Sequence, residues 1–324
     1  MGGKNPGEAL TLKKRKGARA FFFEFYKNKT LYIMLLPAVA FVAIFNYAPL
    51  YGLQIAFKNF NYSKGIWGSP WVGFANFLQF FRSTFFLETT GNTLWLNFLF
   101  ITFSMIFAVS TAILLNEVTR KQRRVFLTAM FFPYFISWIV ISEFVNAMLS
   151  AKYGLVNNVI SLFGTSPIAW YGTAKYWPAI LTIACVWQGL GYGSVIYLAQ
   201  IVGFDQEVYE AAKIDGANKW QEIRRVTFPM LVPTITFMLL MAVGSIFRSN
   251  VQMIFAIIGN NPQTSGILYP TTDVIDTFIL RAVTNNGSLA EGTAVGLCQS
   301  IIGFALVLGS NWLVKRRNPD NALF

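Results

Sequence analysis

The chain has 324 residues, 55% of them hydrophobic and only 12% charged, and its mean hydropathy of +0.49 lies well on the apolar side of an ordinary soluble domain. Its 26 Lys and Arg against 14 Asp and Glu give a net charge of +12. There is no His, and the two Cys, Cys185 and Cys298, stand far apart in apolar runs, so no histidine-centred metal site, triad or proton relay can be built. Neither a Walker A pattern nor a CxxC pair occurs.

In chain order, residues 1–29 form a basic tail that ends in "RAFFFEFYKNK" (19–29), where aromatic residues stand beside bases in the manner of an interfacial helix. Six apolar runs follow, each near the roughly 20 residues that a membrane-crossing helix needs. They are Leu31–Ala56, Thr93–Leu115, Val125–Leu149, Trp177–Val202, Leu231–Ile258 and Thr293–Val314. The first is too long and too deep in the chain for a cleaved signal peptide, and no small-residue cleavage pattern follows Pro37, Asn46 and Pro49. The expected class is all-α, a polytopic membrane protein of about six spans. Residues 30–92 hold the first span and an outer loop, 93–315 the membrane core, and 316–324 a tail.

Lys and Arg decide the orientation. They gather in the basic tail, at Arg120, Lys121, Arg123 and Arg124, at Lys213, Lys219, Arg224 and Arg225, and at Lys315, Arg316 and Arg317. These segments alternate along the chain, so the positive-inside rule predicts both termini in the cytoplasm. Bases that flank spans, with no nucleic-acid signature beside them, set topology and touch membrane lipid; no nucleic-acid partner is expected. Two outer loops, from Lys58 to Thr93 and from Gly259 to Ala290, are too rich in aromatic and apolar residues for linkers, and are expected to pack outside as a receiving surface or a plain rim.

The loop at 204–230 does not fit a topological role. Its acids, Asp205, Glu207, Glu210, Asp215 and Glu222, outnumber its bases, and "DQEVYEAAK" places acids in the first turn of a good helix former. Gly216 breaks that helix, Asn218 caps a second one over Asn218–Val226, and Pro229 and Pro233 are expected to mark re-entry into the membrane. A helix–turn–helix exposing Glu210, Ala211, Ala212, Asp215 and Gly216 suits close approach of a partner, although a solvated surface helix would read the same way.

The run Glu210-Ala211-Ala212-x-x-Asp215-Gly216-Ala217, followed by Phe228-Pro229 and Pro233, resembles the EAA motif of the membrane subunits of bacterial ABC importers. The resemblance implies a type I ABC importer permease fold, with a coupling helix seated in a cleft of an ATPase subunit. The six spans and the core resemble the maltose-type carbohydrate permeases. "PYFISWIVISEF" (133–144), the run at 191–217 and "DVIDTFILR" (273–281) are similar to a subgroup importing larger saccharides such as alginate and pectin fragments. The resemblance implies a second homologous permease chain, two ATPase subunits, an extracytoplasmic solute-binding protein and a location in the inner membrane. It further implies that ATP and Mg bind the ATPase, so this chain carries no cofactor and is not itself an enzyme.

"SIFRSNVQ" (245–252) departs from that subgroup by placing an arginine inside an apolar run. Read as continuous helix, the fifth span puts Ser245, Arg248 and Gln252 on one side, bordered by Ser249. Glu143 and Asn146 in the third span and Trp187, Gln188 and Tyr192 in the fourth could complete a polar, aromatic passage for sugar. Arg248 would bind a uronate carboxylate or would neutralise Glu143. Gly189, Gly191 and Gly193 read as packing notches. A proton-coupled secondary transporter with Glu143 as its carboxylate is the alternative, but it calls for inverted repeats that the chain lacks.

Overall fold

A computed structural model describes residues 26–259, 262–284 and 287–317, and divides into two compact units, Met1–Gln54 and Ile55–Phe324. In the first unit, helix α1 (Lys29–Val42) runs into a wider π turn at Ala43–Tyr47 and then a 3-10 stretch that reaches Phe57. No side chain of α1 is buried, as suits an apolar helix whose solvent is lipid. Most of the expected interfacial helix at 19–29 lies outside the described residues.

The second unit opens with an aromatic knot. Lys58 and Trp71 form an isolated antiparallel bridge, and Asn59 N–H and Val72 N–H donate across it to Pro70 and Phe57. Phe57, Trp71, Phe74 and Phe77 share ring contacts. After a turn at Gly65–Gly68 comes the amphipathic helix α2 (Ala75–Arg82), which buries Phe77 beside Ala294 and Phe80 beside Ile275 and Val295.

Helix α3 (Phe85–Glu117) starts before Thr93, where the apolar run begins, because Thr89 and Thr93 return their hydroxyl protons to carbonyls one turn back. A capping box of Thr119 and Gln122 then starts α4 (Arg120–Phe131). The third apolar run is not one helix. Pro133 lies in a 3-10 turn, Ile136 and Ser137 are extended, and α5 (Trp138–Leu149) leaves at 97° to the preceding helix. A short α6 (Leu155–Leu162) leads to α7 (Trp177–Val202), which lies along α3.

Next come α8 (Gln206–Ile214), α9 (Lys219–Glu222), a π turn at Ile223–Thr227 and α10 (Phe228–Gly244). The helix is unbroken from Lys219 to Gly244 and runs on through Pro229 and Pro233, so the second helix of the loop does not end at Val226 as expected. Pro229 sits in the first turn of α10, where its missing N–H costs little, and the wider turn before it accommodates the ring. The fifth run ends early instead: helix stops at Gly244, residues 245–250 are irregular, and α11 (Val251–Ile254) begins on an Asn250 cap. Helices α12 (Pro262–Thr272), α13 (Ile275–Thr284) and α14 (Leu289–Arg317) complete the unit. Among the described residues five helical segments are long and apolar enough to cross a bilayer, and six if the bent third pair counts as one.

Candidate functional site

The loop at 204–230 is built from local signals. Asp205 caps α8 by accepting from Glu207 N–H at 3.0 Å. At the other end Gly216 N–H donates to Lys213 O and Ala217 N–H to Ala212 O, each at 3.0 Å. That pair of bonds is a Schellman closure, and it needs the left-handed backbone that Gly216 adopts at φ +76°. Asn218 and Gln221 then form a capping box, their N–H groups and side-chain oxygens paired at 2.8 and 2.9 Å.

Glu210, Ala211, Asp215 and Gly216 are exposed, and Ala212 and Ala217 half-buried. Beside them in the chain Ile214 is 86% and Trp220 68% exposed. Underneath, Tyr209 is buried with its hydroxyl 3.3 Å from the Thr227 hydroxyl. Lys219 Nζ lies 3.0 Å from Glu117 Oε2 at the end of α3 and 3.3 Å from the buried Glu222 carboxylate. The loop is therefore fixed from below and presented outward.

The expected passage residues divide into two groups, because each of two apolar runs is broken. Around the third-span break, Gln188 Nε2 donates to Ile136 O at 3.3 Å, and Tyr192 stacks on Tyr134 with rings 5.1 Å apart. Gly191 touches the backbone there: a Cβ would press into the carbonyl of Met130. Its role is the packing notch expected of it. Trp187 is exposed on α7, and Glu143 and Asn146 are exposed on α5. Burial pushes the Tyr171 hydroxyl up to about 12, and the Glu143 charge adds to that.

Around the fifth-span break, the expectation of one helical face carrying Ser245, Arg248 and Gln252 is wrong. Helix ends before them, so Arg248 and Ser249 lie in irregular backbone and Gln252 on the separate α11. No ion pair joins Arg248 to Glu143 among the described residues. Arg248 Nη2 instead donates to Ser300 Oγ at 3.3 Å and the side chain stays exposed.

Sequence reasoning missed the residues that hold this break. Asn97 of α3 donates through Nδ2 to Ile246 O at 2.9 Å and to Ser249 Oγ at 2.8 Å. Gln299 of α14 donates to Phe247 O at 2.7 Å. Asp276 of α13 accepts from Ser249 N–H at 2.7 Å. Burial pushes the Asp276 carboxyl above its usual value, while the Ser249 and Gln299 bonds and the nearby Arg248 charge pull it back. Irregular backbone packed away from water needs partners of this kind. An Asn and a Gln inside otherwise apolar spans were the available signal.

Nearby, Asn92 Nδ2 donates to Pro270 O at 3.2 Å and Asp273 O at 3.1 Å, and Thr93 Oγ1 accepts from Ile275 N–H at 2.9 Å. Arg281 forks onto the buried Asp273 carboxylate, with one contact at 2.7 Å, and lies 4.6 Å from the Tyr269 ring centroid. Among the described residues no group of three or more His, Cys, Asp or Glu could hold a metal ion.

A bent third span, five further apolar helices of spanning length and an outward loop of two capped helices define a polytopic membrane protein. Residues 95–319 match the family model described as binding-protein-dependent transport system inner membrane component, and the chain belongs to that family. It is 30% identical over 295 residues to Protein LplB of Bacillus subtilis (strain 168), covering 91% of each chain. It is 28% identical to the polygalacturonan/rhamnogalacturonan transport system permease protein YteP of the same strain, covering 95% of this chain and 94% of that one. Among solved structures, a chain of a bacterial ABC transporter involved in the import of the acidic polysaccharide alginate matches with TM-score 0.82 at 31% identity, over 92% of this chain and 99% of that one. A second crystal structure, of a bacterial alginate ABC transporter in complex with an alginate pentasaccharide-bound periplasmic protein, matches with TM-score 0.81 at 31% identity, over 91% and 97%.

Proposed function

We propose that this chain forms half of the translocation pathway of an ATP-driven importer of oligo- or polysaccharide, and that acidic, uronate-bearing saccharides are its substrates. A second homologous permease chain completes the pathway, two ATPase subunits drive it, and an extracytoplasmic binding protein delivers the sugar. Both termini and the loop at 204–230 face the cytoplasm, consistent with the placement of Lys and Arg. Glu210, Ala211, Ala212, Asp215, Gly216 and Ala217 meet the ATPase, which supplies all nucleotide and Mg chemistry.

One observation carries the reading: the EAA segment folds as a capped helix, a glycine corner and a second capped helix, exposing Ile214 and Trp220 beside its carboxylates. The names of the relatives support a saccharide, and the alginate transporters support an acidic one. Within the chain, Arg248 offers an exposed guanidinium whose planar fork fits a carboxylate in two bonds. Trp187 and Tyr192 offer exposed faces for sugar rings, and Glu143, Asn146, Gln188, Ser249 and Gln252 offer polar groups for hydroxyls.

The test is reconstitution of the complex in proteoliposomes with binding protein and a panel of saccharides. ATP hydrolysis should rise with acidic oligosaccharides, and Arg248→Met should weaken their transport by about 10-fold or more, the value of one charged bond, while sparing neutral ones. Equal losses for both would assign Arg248 to holding the break through Ser300. ATPase subunits that remained attached and coupled to Glu210→Lys would refute the docking role. Uptake that followed the proton gradient rather than ATP would sink the whole reading.

A further inference from the structure

We propose that α3 is the rod that carries motion of the 204–230 loop to the irregular segment at 245–250, and that Lys219 is the positioning residue fastening the loop to it. This rests on the docking role proposed above for that loop. At one end of α3, Glu117 is its last residue and holds Lys219, which also reaches the Glu222 carboxylate, only 5% exposed. An exposed ion pair stabilises little by itself, but loss of Lys219 would leave Glu222 buried without its cation. Arg123 seals the same end, donating to Leu115 O at 2.8 Å and Asn116 O at 3.0 Å.

Toward the other end, Asn97 holds the fifth-span break through Ile246 O and Ser249 Oγ, while Asn92 and Thr93 hold the corner between α12 and α13. Asn97 and Glu117 are about 30 Å apart along the axis at 1.5 Å per residue. Between them Phe100, Ala108, Val109, Ala112 and Leu115 are buried. The helix has no proline and no irregular turn, the features at which helices bend sharply, and so serves as a stiff link between Glu117 and Asn97.

The other path from loop to break is α10 itself, and it is more compliant. It begins on the π turn at Ile223–Thr227, carries Pro233 inside, and buries only Leu231 and Leu240. Turns and prolines of that kind are where helices bend. A push along α10 is absorbed; a pull through Lys219 is transmitted.

The experiment uses the assembled importer in proteoliposomes and reads transported saccharide per ATP hydrolysed. In Lys219→Gln that ratio falls at least about 5-fold, the low end of measured couplings, while the ATPase subunits still co-purify and basal hydrolysis persists. Lys219→Arg retains the ratio. In a background with Cys185 and Cys298 replaced by Ser, Glu117→Cys with Lys219→Cys is uncoupled until a short bifunctional thiol reagent joins the pair, and coupled afterwards. A ratio unchanged in Lys219→Gln would overturn the proposal, as would a cross-link that arrests transport, because the fastening would then have to open during the cycle. Loss of co-purification in Glu210→Lys reports on docking alone, so the two ideas fail separately.

Discussion

Two apolar runs of this protein are broken, and they are broken for different reasons. In the third, Pro133 removes a backbone donor, Ile136 and Ser137 adopt extended geometry, and Ser137 restarts the helix by capping Val140 N–H at 3.4 Å. The fifth has no proline between Gly244 and Val251; its irregular backbone is held by Asn97, Asp276 and Gln299, side chains from three other helices. The first is a break written locally and then packed over. The second exists because remote polar groups stabilise backbone that a helix would otherwise have satisfied.

Substitutions can separate these two causes. The largest effect is expected at the corner supporting the fifth-span side, where Arg281→Met leaves Asp273 buried without its cation and should cost about 3–5 kcal/mol. Thermal unfolding of the purified permease in detergent measures it; a wild-type midpoint would show that the pair does not support the corner. Next, Gly191→Val forces side-chain atoms into the Met130 carbonyl and should cost about 3 kcal/mol, seen as a lowered yield of folded protein, with α4 and α7 driven apart. Asn97→Leu orphans Ile246 O and the Ser249 hydroxyl for about 1–3 kcal/mol, and should speed amide exchange at 245–250 while leaving 133–137 unchanged. Parallel loosening of both segments would mean that the breaks are one mechanical unit. Smallest is Pro133→Ala, expected within about 1 kcal/mol of wild type, because Gln188 and Gly191 still pack on the bent form. Straightening of the third span in that variant, detectable as a changed distance between spin labels on α4 and α5, would show that proline alone sets the bend.

The same contrast explains what the sequence disclosed. Membrane class, the apolar runs and the capped loop rest on local composition, and Gly216 and Asn218 announce their turns within a few residues. The break near Arg248 depends on Asn97, 149 residues from Ile246, and no local pattern reports such a partner. Hydrophobic periodicity assumes that helix continues, so it placed Arg248 and Gln252 on a face that does not exist. Pro133 pointed to its break, but an apolar run of spanning length overrode it. Glu143, Asn146, Trp187, Gln188 and Tyr192 were found because polar and aromatic groups stand out in apolar helices, whereas the positions of Gln188 and Tyr192 beside the third-span bend required the fold.

The corner at Gly216 has a mechanical consequence. Its two crossed bonds use the carbonyls of Ala212 and Lys213 that would otherwise be free at the end of α8. With those acceptors satisfied inside the chain, the corner keeps its shape without drawing on water or on any neighbouring group.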